Sequence, residues 1–382
     1  MGTDVLIIGG GVIGLSIARE LNKRGVRRIM VIDKGRIGGE ASWAAAGMLA
    51  ANAETRIDDP FFRLCVESNG LYPRFAAELL EETGIDIELD TGGTLCLAFT
   101  EQEEADLAEK FAWQSGAGIC VQSLKATEIR EREPAVSSAA RYALRYEDDH
   151  QVENRMLVAA LRKYCEIEGV ELVEGVKITG LRIEKGVLLG AVSRDVTYTA
   201  SKTVVAAGAW TTELARTMPS VGTVKPIRGQ MISFAAPGRF LHSVVYTSEG
   251  YLVPRKDGRI LAGATVEDAG FDKSVTAKAI SQLKAMAVRT VPRLDGVDVG
   301  NAWCGLRPLA DGGYPVIGWA SEIRNAYIAT GHYRNGILLA PLTGRIAAEQ
   351  ILDGIRSADY QCFAPRVAAL AGNAAAAPSN KP

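Results

Sequence analysis

The segment Gly9-Gly10-Gly11-Val12-Ile13-Gly14 follows directly on the apolar run Val5-Leu6-Ile7-Ile8 and precedes Ile17, Ala18 and Leu21 at helical spacing. Glycines so placed between a buried strand and a helix define a tight turn. Gly9 permits the reversal, Gly11 lets the backbone approach a pyrophosphate, and Gly14 lets the helix pack closely on the strand. The helix start then offers amide N–H groups and the positive dipole end to that anion. A second strand ends at Asp33, about 20 residues on, where a carboxylate can accept hydrogen bonds from an adenosine ribose. Asp4 to Lys34 therefore reads as a βαβ dinucleotide-binding unit, with NAD and FAD both open. The run Ser42-Trp43-Ala44-Ala45-Ala46-Gly47-Met48 is small enough for backbone to lie against a flat ring, or equally for a packed helix start.

Beyond this unit the periodicity changes several times. A long helix is expected from Phe61 to Thr83, then a strand near Thr94–Phe99 and a charged helix over Glu101–Ser115. A helix Asn154–Gly169 and strands Val170–Val176 and Lys202–Gly208 return to the first texture. From Val224 to Arg307 the chain reads as strand-rich and antiparallel, with Tyr251–Arg255 and Arg259–Ala264 joined through Lys256-Asp257-Gly258. Ala326–Gly331 reads as a short buried strand, and Gly336–Leu352 as an amphipathic helix opened by the Arg334-Asn335-Gly336 turn. The expected fold class is α/β plus α+β: a Rossmann-like domain interleaved with a mostly antiparallel-sheet substrate domain. The expected division is 1–85, 149–222 and 308–369 for the first, 86–148 and 223–307 for the second, and a disordered tail at 370–382.

Charge and composition exclude several function classes. The 43 Lys+Arg against 45 Asp+Glu give a net charge of −2 without long runs, so no nucleic-acid or stable membrane association is expected and a small molecule is the natural partner. Six cysteines lack CxxC spacing and only His150, His242 and His332 are present, so no metal is expected. No apolar stretch reaches the roughly 18 residues of a transmembrane helix. The first residues lack a signal-peptide pattern, which makes a cytoplasmic location the expectation.

The motifs GGGVIG, ASWAAAGM, YLVPR, GLRP and GHYRNGILLAPLTG occur in that order across nearly the whole chain. Together they resemble the glycine oxidase branch of the D-amino acid oxidase and sarcosine oxidase family of FAD-dependent enzymes. The resemblance implies non-covalent FAD against Gly9, Gly11, Val12, Ile13, Gly14, Asp33, Lys34, Ser42, Ala46, Gly47, Met48, Val176 and Gly208. It implies that His332, Tyr333, Arg334, Asn335, Gly336, Ile337 and Leu338 close on the flavin ring, with the helix they open directing its positive end there. Cys304 lies near the region where sarcosine oxidases tether flavin through a cysteine, but out of register, and reads as a small buried hydrophobe.

On the substrate side, the resemblance places Arg307 on the substrate carboxylate, a role that suits a guanidinium fork. An ordinary surface ion pair is the competing role for an arginine, disfavoured here by the flanking Trp303, Leu306 and Pro308. Tyr251 is implied to join that carboxylate contact, and Arg334 to stand at the flavin edge. Val266 and Glu249 fall where the branch can carry methionine and histidine, so both are candidate pocket residues that would alter the preferred amine. The implied reaction is hydride transfer from a neutral amine, imine hydrolysis to a 2-oxo acid and ammonia, and electron transfer to oxygen with release of hydrogen peroxide. A role in thiamin thiazole synthesis and a homotetramer or dimer are implied as well. The alternatives are a D-amino acid or sarcosine-type oxidase or dehydrogenase, and a non-catalytic FAD-binding protein.

Overall fold

The computed structural model of the chain describes residues 2–194, 196–355 and 357–366. Two eight-stranded sheets organise it. In the first, the strands run in the order Val316–Trp319, Ala326–Thr330, Thr197–Val205, Thr3–Ile8, Ile29–Ile32, Glu171–Val173. Thr3–Ile8 pairs in parallel on both sides, with Leu6 opposite Thr203 and Met30. The hairpin Gly180–Glu184 and Val187–Val192 continues antiparallel from Thr197–Val205.

Side-chain alternation along these strands feeds two cores, as a period of two requires. Val5, Ile7, Ile29 and Val31 face a helical layer with Ile17, Leu21, Leu161 and Leu342. Leu6, Ile8, Ile32 and Val205 face the opposite side, with Leu188, Met218 and Ile323. Strands buried on both faces read in sequence as continuous apolar runs, and Val5–Ile8 does.

The second sheet runs Val299–Ala310, Val224–Phe234, Ile260–Gly263, Gly250–Pro254, Val244–Thr247, Thr94–Ala98, Tyr142–Tyr146, Gln122–Lys125. It is antiparallel except where Val244–Thr247 meets Thr94–Ala98. The expected hairpin forms, with Val253 opposite Leu261. A separate core under this sheet gathers Ile232, Phe234, Leu252, Leu283 and Met286.

The structure differs from the sequence expectations at several elements. The strand-rich stretch holds a helix, Ala277–Thr290, capped by the Thr276 side chain on the Ala279 N–H; its Leu283 and Met286 cover the sheet face. The strand expected over Val170–Val176 is only Glu171–Val173, which leaves Val176 in a loop. The helix Gly336–Leu352 is not amphipathic, because it runs between Val12–Lys23 and Pro60–Thr83 and is buried nearly all round. The segment 370–382, expected to be disordered, lies outside the described residues.

Pro341 has no N–H, so the Ile337 carbonyl one turn earlier lacks its helical donor. The buried Tyr72 hydroxyl donates to that carbonyl, and Ser68 Oγ donates to the Leu338 carbonyl at 2.6 Å. The long helix Pro60–Thr83 thereby fixes the opening turn of Gly336–Leu352, which forms part of the cavity wall described next.

Candidate active site

One long cleft, enclosing about 1740 Å³ with the open solvent at its mouth included, runs from the glycine turn to the inner face of the second sheet. At the first end Gly9 has φ 110°, and a Cβ there would sit 2.3 Å from the Ala206 carbonyl oxygen. A Cβ on Gly14 would sit 2.0 Å from the Gly9 oxygen, so helix and strand meet at a distance only glycine allows. Gly14 itself stands behind the lining, whereas Gly9, Gly11, Val12 and Ile13 line it.

Neighbouring side chains hold this turn. Ser42 Oγ accepts the Val12 N–H at 2.9 Å, and the two Asp33 carboxylate oxygens accept the Gly10 and Gly35 N–H groups, each at 2.8 Å. Lys34 Nζ lies 3.2 Å from the Trp210 ring centroid and 3.7 Å from Glu40, with burial lowering its pKa. Val176 and Gly208 complete this end.

Midway, Ala46, Gly47 and Met48 line the cavity. Gly47 has φ 74°, and a Cβ there would lie 2.0 Å from the Val152 carbonyl oxygen. The segment is pinned by Arg255, a buried residue that donates to the carbonyls of Ala46 (2.9 Å) and Val152 (2.8 Å) and to the side chains of Gln151 and Asn154 (both 3.1 Å). Asn154 Nδ2 in turn donates to the Ser42 carbonyl at 2.8 Å, and Trp303 Nε1 to the Ala44 carbonyl at 3.0 Å. Small residues make this wall flat; buried polar side chains make it rigid.

At the far end Arg307, Tyr251 and Arg334 are brought together from segments far apart in the chain. The strand Val299–Ala310 places Arg307 opposite Ile227, and its guanidinium covers Gly229, where a Cβ would meet Nη1 at 2.2 Å. Its hydrogen bond is from Nη1 to the Thr265 carbonyl at 3.0 Å, and it has no ion-pair partner among the described residues. Arg334 differs: Nη2 reaches Glu54 Oε1 at 2.9 Å, and that carboxylate raises the arginine's pKa. Tyr246 also donates to Glu54 Oε1, at 2.8 Å, and its ring lies 5.7 Å from that of Tyr251. Burial works against ionisation of Glu54, yet Arg334, Tyr246 and the charge of Arg307 hold its pKa below the usual range.

His332 is buried with Nε2 3.1 Å from Thr343 Oγ1, and burial depresses its pKa to about 3, so the ring is neutral. Tyr333 has φ 47° and donates its N–H to the Pro308 carbonyl at 3.0 Å, tying this turn to the strand that carries Arg307. Asn335, Gly336 and Ile337 line the cavity at the helix N-terminus; Leu338 lies behind them, its carbonyl held by Ser68.

Glu249 and Val266 are not brought to the cavity. Glu249 is exposed and paired with Arg289, and Val266 is 40% exposed outside the lining. Cys304 Sγ contacts the Lys273 carbonyl at 2.9 Å and also stands outside the lining. Sequence reasoning missed Glu54, Tyr246 and Arg255. Only Arg255 carried a signal, as the last residue of YLVPR. Glu54 ends the short helix Ala51–Glu54, which is held from below by buried Asp149: its oxygens accept the N–H groups of Asn52 (3.0 Å) and Ala53 (2.6 Å). Burial pushes the Asp149 carboxyl up to about 7.

The cleft thus leads from a glycine turn, past a wall of small residues, to a guanidinium without an ion pair among the described residues. Residues 4–350 match the family described as FAD dependent oxidoreductase. The chain belongs to that family. It is 37% identical over 351 residues to a glycine oxidase of Geobacillus kaustophilus, covering 91% of this chain and 92% of that protein. It is 35% identical over 366 residues to the bifunctional protein ThiO/ThiG of Trichormus variabilis, covering 92% of this chain and 53% of that longer one. The crystal structure of glycine oxidase from Geobacillus kaustophilus superposes with TM-score 0.90 at 36% identity, covering 95% of this chain and 98% of the other.

FAD is the cofactor of this family, and the cleft fits it on its own geometry. Gly9 and Gly47 hold the wall in shape where the Ala206 and Val152 carbonyls leave no room for a Cβ, and the lining is continuous from the glycine turn to the far end. Among the described residues no group of three or more His, Cys, Asp or Glu is gathered to hold a metal, and no helix is long and apolar enough to cross a membrane.

Proposed function

We propose that this FAD-dependent oxidoreductase oxidises glycine and other small amines, such as sarcosine and small D-amino acids, to the 2-oxo acid, ammonia or amine, and hydrogen peroxide. The observation that carries the reading is Arg307: a guanidinium in the cavity lining that forms no ion pair among the described residues. A substrate carboxylate supplies the missing charge through two parallel hydrogen bonds, which fix orientation as well as position. Tyr251, beside it in the lining, offers a hydroxyl to the same carboxylate.

Gly9, Gly11, Val12, Ile13, Asp33, Lys34 and Val176 would hold the nucleotide part of FAD, and Ser42, Ala46, Gly47, Met48 and the turn His332–Ile337 the ring, without a covalent link through Cys304. Bound there, FAD supplies a two-electron acceptor for the hydride of the substrate α-carbon, with oxygen taking the electrons onward. The chain's own contribution is positioning, worth several kcal/mol when reacting atoms are held close. The N-terminus of Gly336–Leu352 adds a positive dipole end that favours negative charge at the ring. His332 adds no charge, because its ring is neutral. The amine enters unprotonated, so no side-chain base is assigned.

The similarity to glycine oxidases and to a ThiO/ThiG chain supports glycine as the amine and thiamin thiazole synthesis as the destination of its imine. A homotetramer or dimer in the cytoplasm, and the division into an FAD-binding domain of three segments and a substrate domain of two, complete the reading. The test is anaerobic mixing of the yellow holoprotein with glycine, sarcosine, D-alanine, D-proline and L-amino acids. Flavin absorbance is expected to bleach with glycine and to return under air with release of peroxide. Colour that persists with every amine sinks the proposal.

A further inference from the structure

Two guanidinium groups, of Arg307 and Arg334, line the same end of one cavity. Left alone they would present two positive charges and favour a dianion. The structure matches them unequally. Arg334 is held by Glu54, whose Oε1 also accepts the Tyr246 hydroxyl, while the hydrogen bond that Arg307 makes among the described residues goes to the neutral carbonyl of Thr265. The three charged residues together carry one net positive charge; Glu54 is paired with Arg334 and also lies within the field of Arg307.

We propose that Glu54 is a specificity-determining residue: by neutralising Arg334 it restricts the cavity to amines bearing a single carboxylate and rejects those bearing two. This rests on the amine-oxidase reading above. A second carboxylate on the substrate has to displace Glu54 from Arg334 or lie beside Glu54 without a partner, and like charges in a recessed site are strongly disfavoured. Glu54 is poorly placed to step aside. The helix Ala51–Glu54 is anchored by Asp149 through the Asn52 and Ala53 amides, and Glu54 Oε1 is held from two directions. Its Oε2 makes no hydrogen bond among the described residues.

The test uses holoprotein and two inert probes of increasing charge, acetate and malonate, at mildly alkaline pH. Binding is followed by calorimetry and by the perturbation of flavin absorbance. Wild-type protein is expected to bind acetate at least as well as malonate. Glu54→Gln keeps the shape and removes the charge, and is expected to raise the malonate-to-acetate affinity ratio by about tenfold or more. The kcat/KM for iminodiacetate relative to glycine should rise in the same direction. Arg334→Gln, which removes the cation paired with Glu54, is expected to lower that ratio below wild type, so two variants move one observable in opposite directions. Flavin content and thermal unfolding confirm that each variant is folded. A ratio within about twofold of wild type in both variants, with acetate still bound, overturns the proposal while leaving the oxidase reading intact. Wild-type protein that neither binds acetate nor is bleached by glycine overturns both.

Discussion

The two ends of the cleft solve recognition with different materials. The nucleotide end is made of backbone and absent side chains: Gly9 and Gly14 admit no Cβ, and the charged groups nearby, such as Asp33, accept hydrogen bonds from the turn itself. The far end is made of side chains from distant segments, with Glu54, Tyr251, Arg307 and Arg334 lining one space and Tyr246 holding Glu54 from behind. A backbone cradle is intolerant of size, whereas a side-chain cluster discriminates by the charges it gathers. Affinity for the cofactor should therefore fail by sterics, and choice of substrate by charge.

The largest effect tests the first half of that contrast. Gly14→Ala places a methyl about 2.0 Å from the Gly9 oxygen, a backbone clash with no flexible partner to yield, so the purified protein is expected to come out without yellow colour. Gly70→Ala is the control: it sits in the helix Pro60–Thr83 with open space around it, and should be neutral or stabilising by up to about 1 kcal/mol. Equal flavin retention in both variants would break the comparison.

Next comes charge at the far end. Arg307→Ala is expected to lower kcat/KM for glycine by about 10²–10³-fold, since a recessed charge pair is worth about 2–5 kcal/mol, while FAD content stays at wild-type level. Arg307→Lys should recover only part, because a point charge cannot make two parallel hydrogen bonds. Loss of FAD in step with activity would show that the two ends are not separable.

The smallest effect concerns the neutral residue beside the cations. His332 has a folded-state pKa of about 3 against an ordinary 6.5. Below pH 6.5 the unfolded chain takes up a proton that the folded chain refuses, so folding stability falls as pH drops through this window toward 3. His332→Gln removes that titration. The stability gap between wild type and variant is expected to shrink by about 2 kcal/mol from pH 8 to pH 5, read from denaturant unfolding. A gap independent of pH would mean that the ring is not neutral in the fold.

Legibility in the sequence follows the same division. The turn Gly9–Gly14, the strand before it, the helix after it and Asp33 are contiguous, and local sterics alone assign them. The hairpin through Lys256-Asp257-Gly258 was equally plain. The helix Ala277–Thr290 was not, because its value lies in covering a sheet face that forms only when strands from two parts of the chain pair. The helix Gly336–Leu352 reads as amphipathic in the sequence, whereas its burial nearly all round marks an element enclosed by two other helices.

The sequence by itself determined the nucleotide turn and the motifs that carry Arg307, Tyr251 and Arg334, because each is written in neighbouring residues. Tertiary structure alone decided the charge state of the substrate end. It sent Glu249 outward to Arg289, brought Glu54 to Arg334 across 280 positions, and left Arg307 without an ion pair among the described residues. Ion pairing depends on distances of a few ångströms between residues remote in sequence, and only the completed packing of both sheets fixes them.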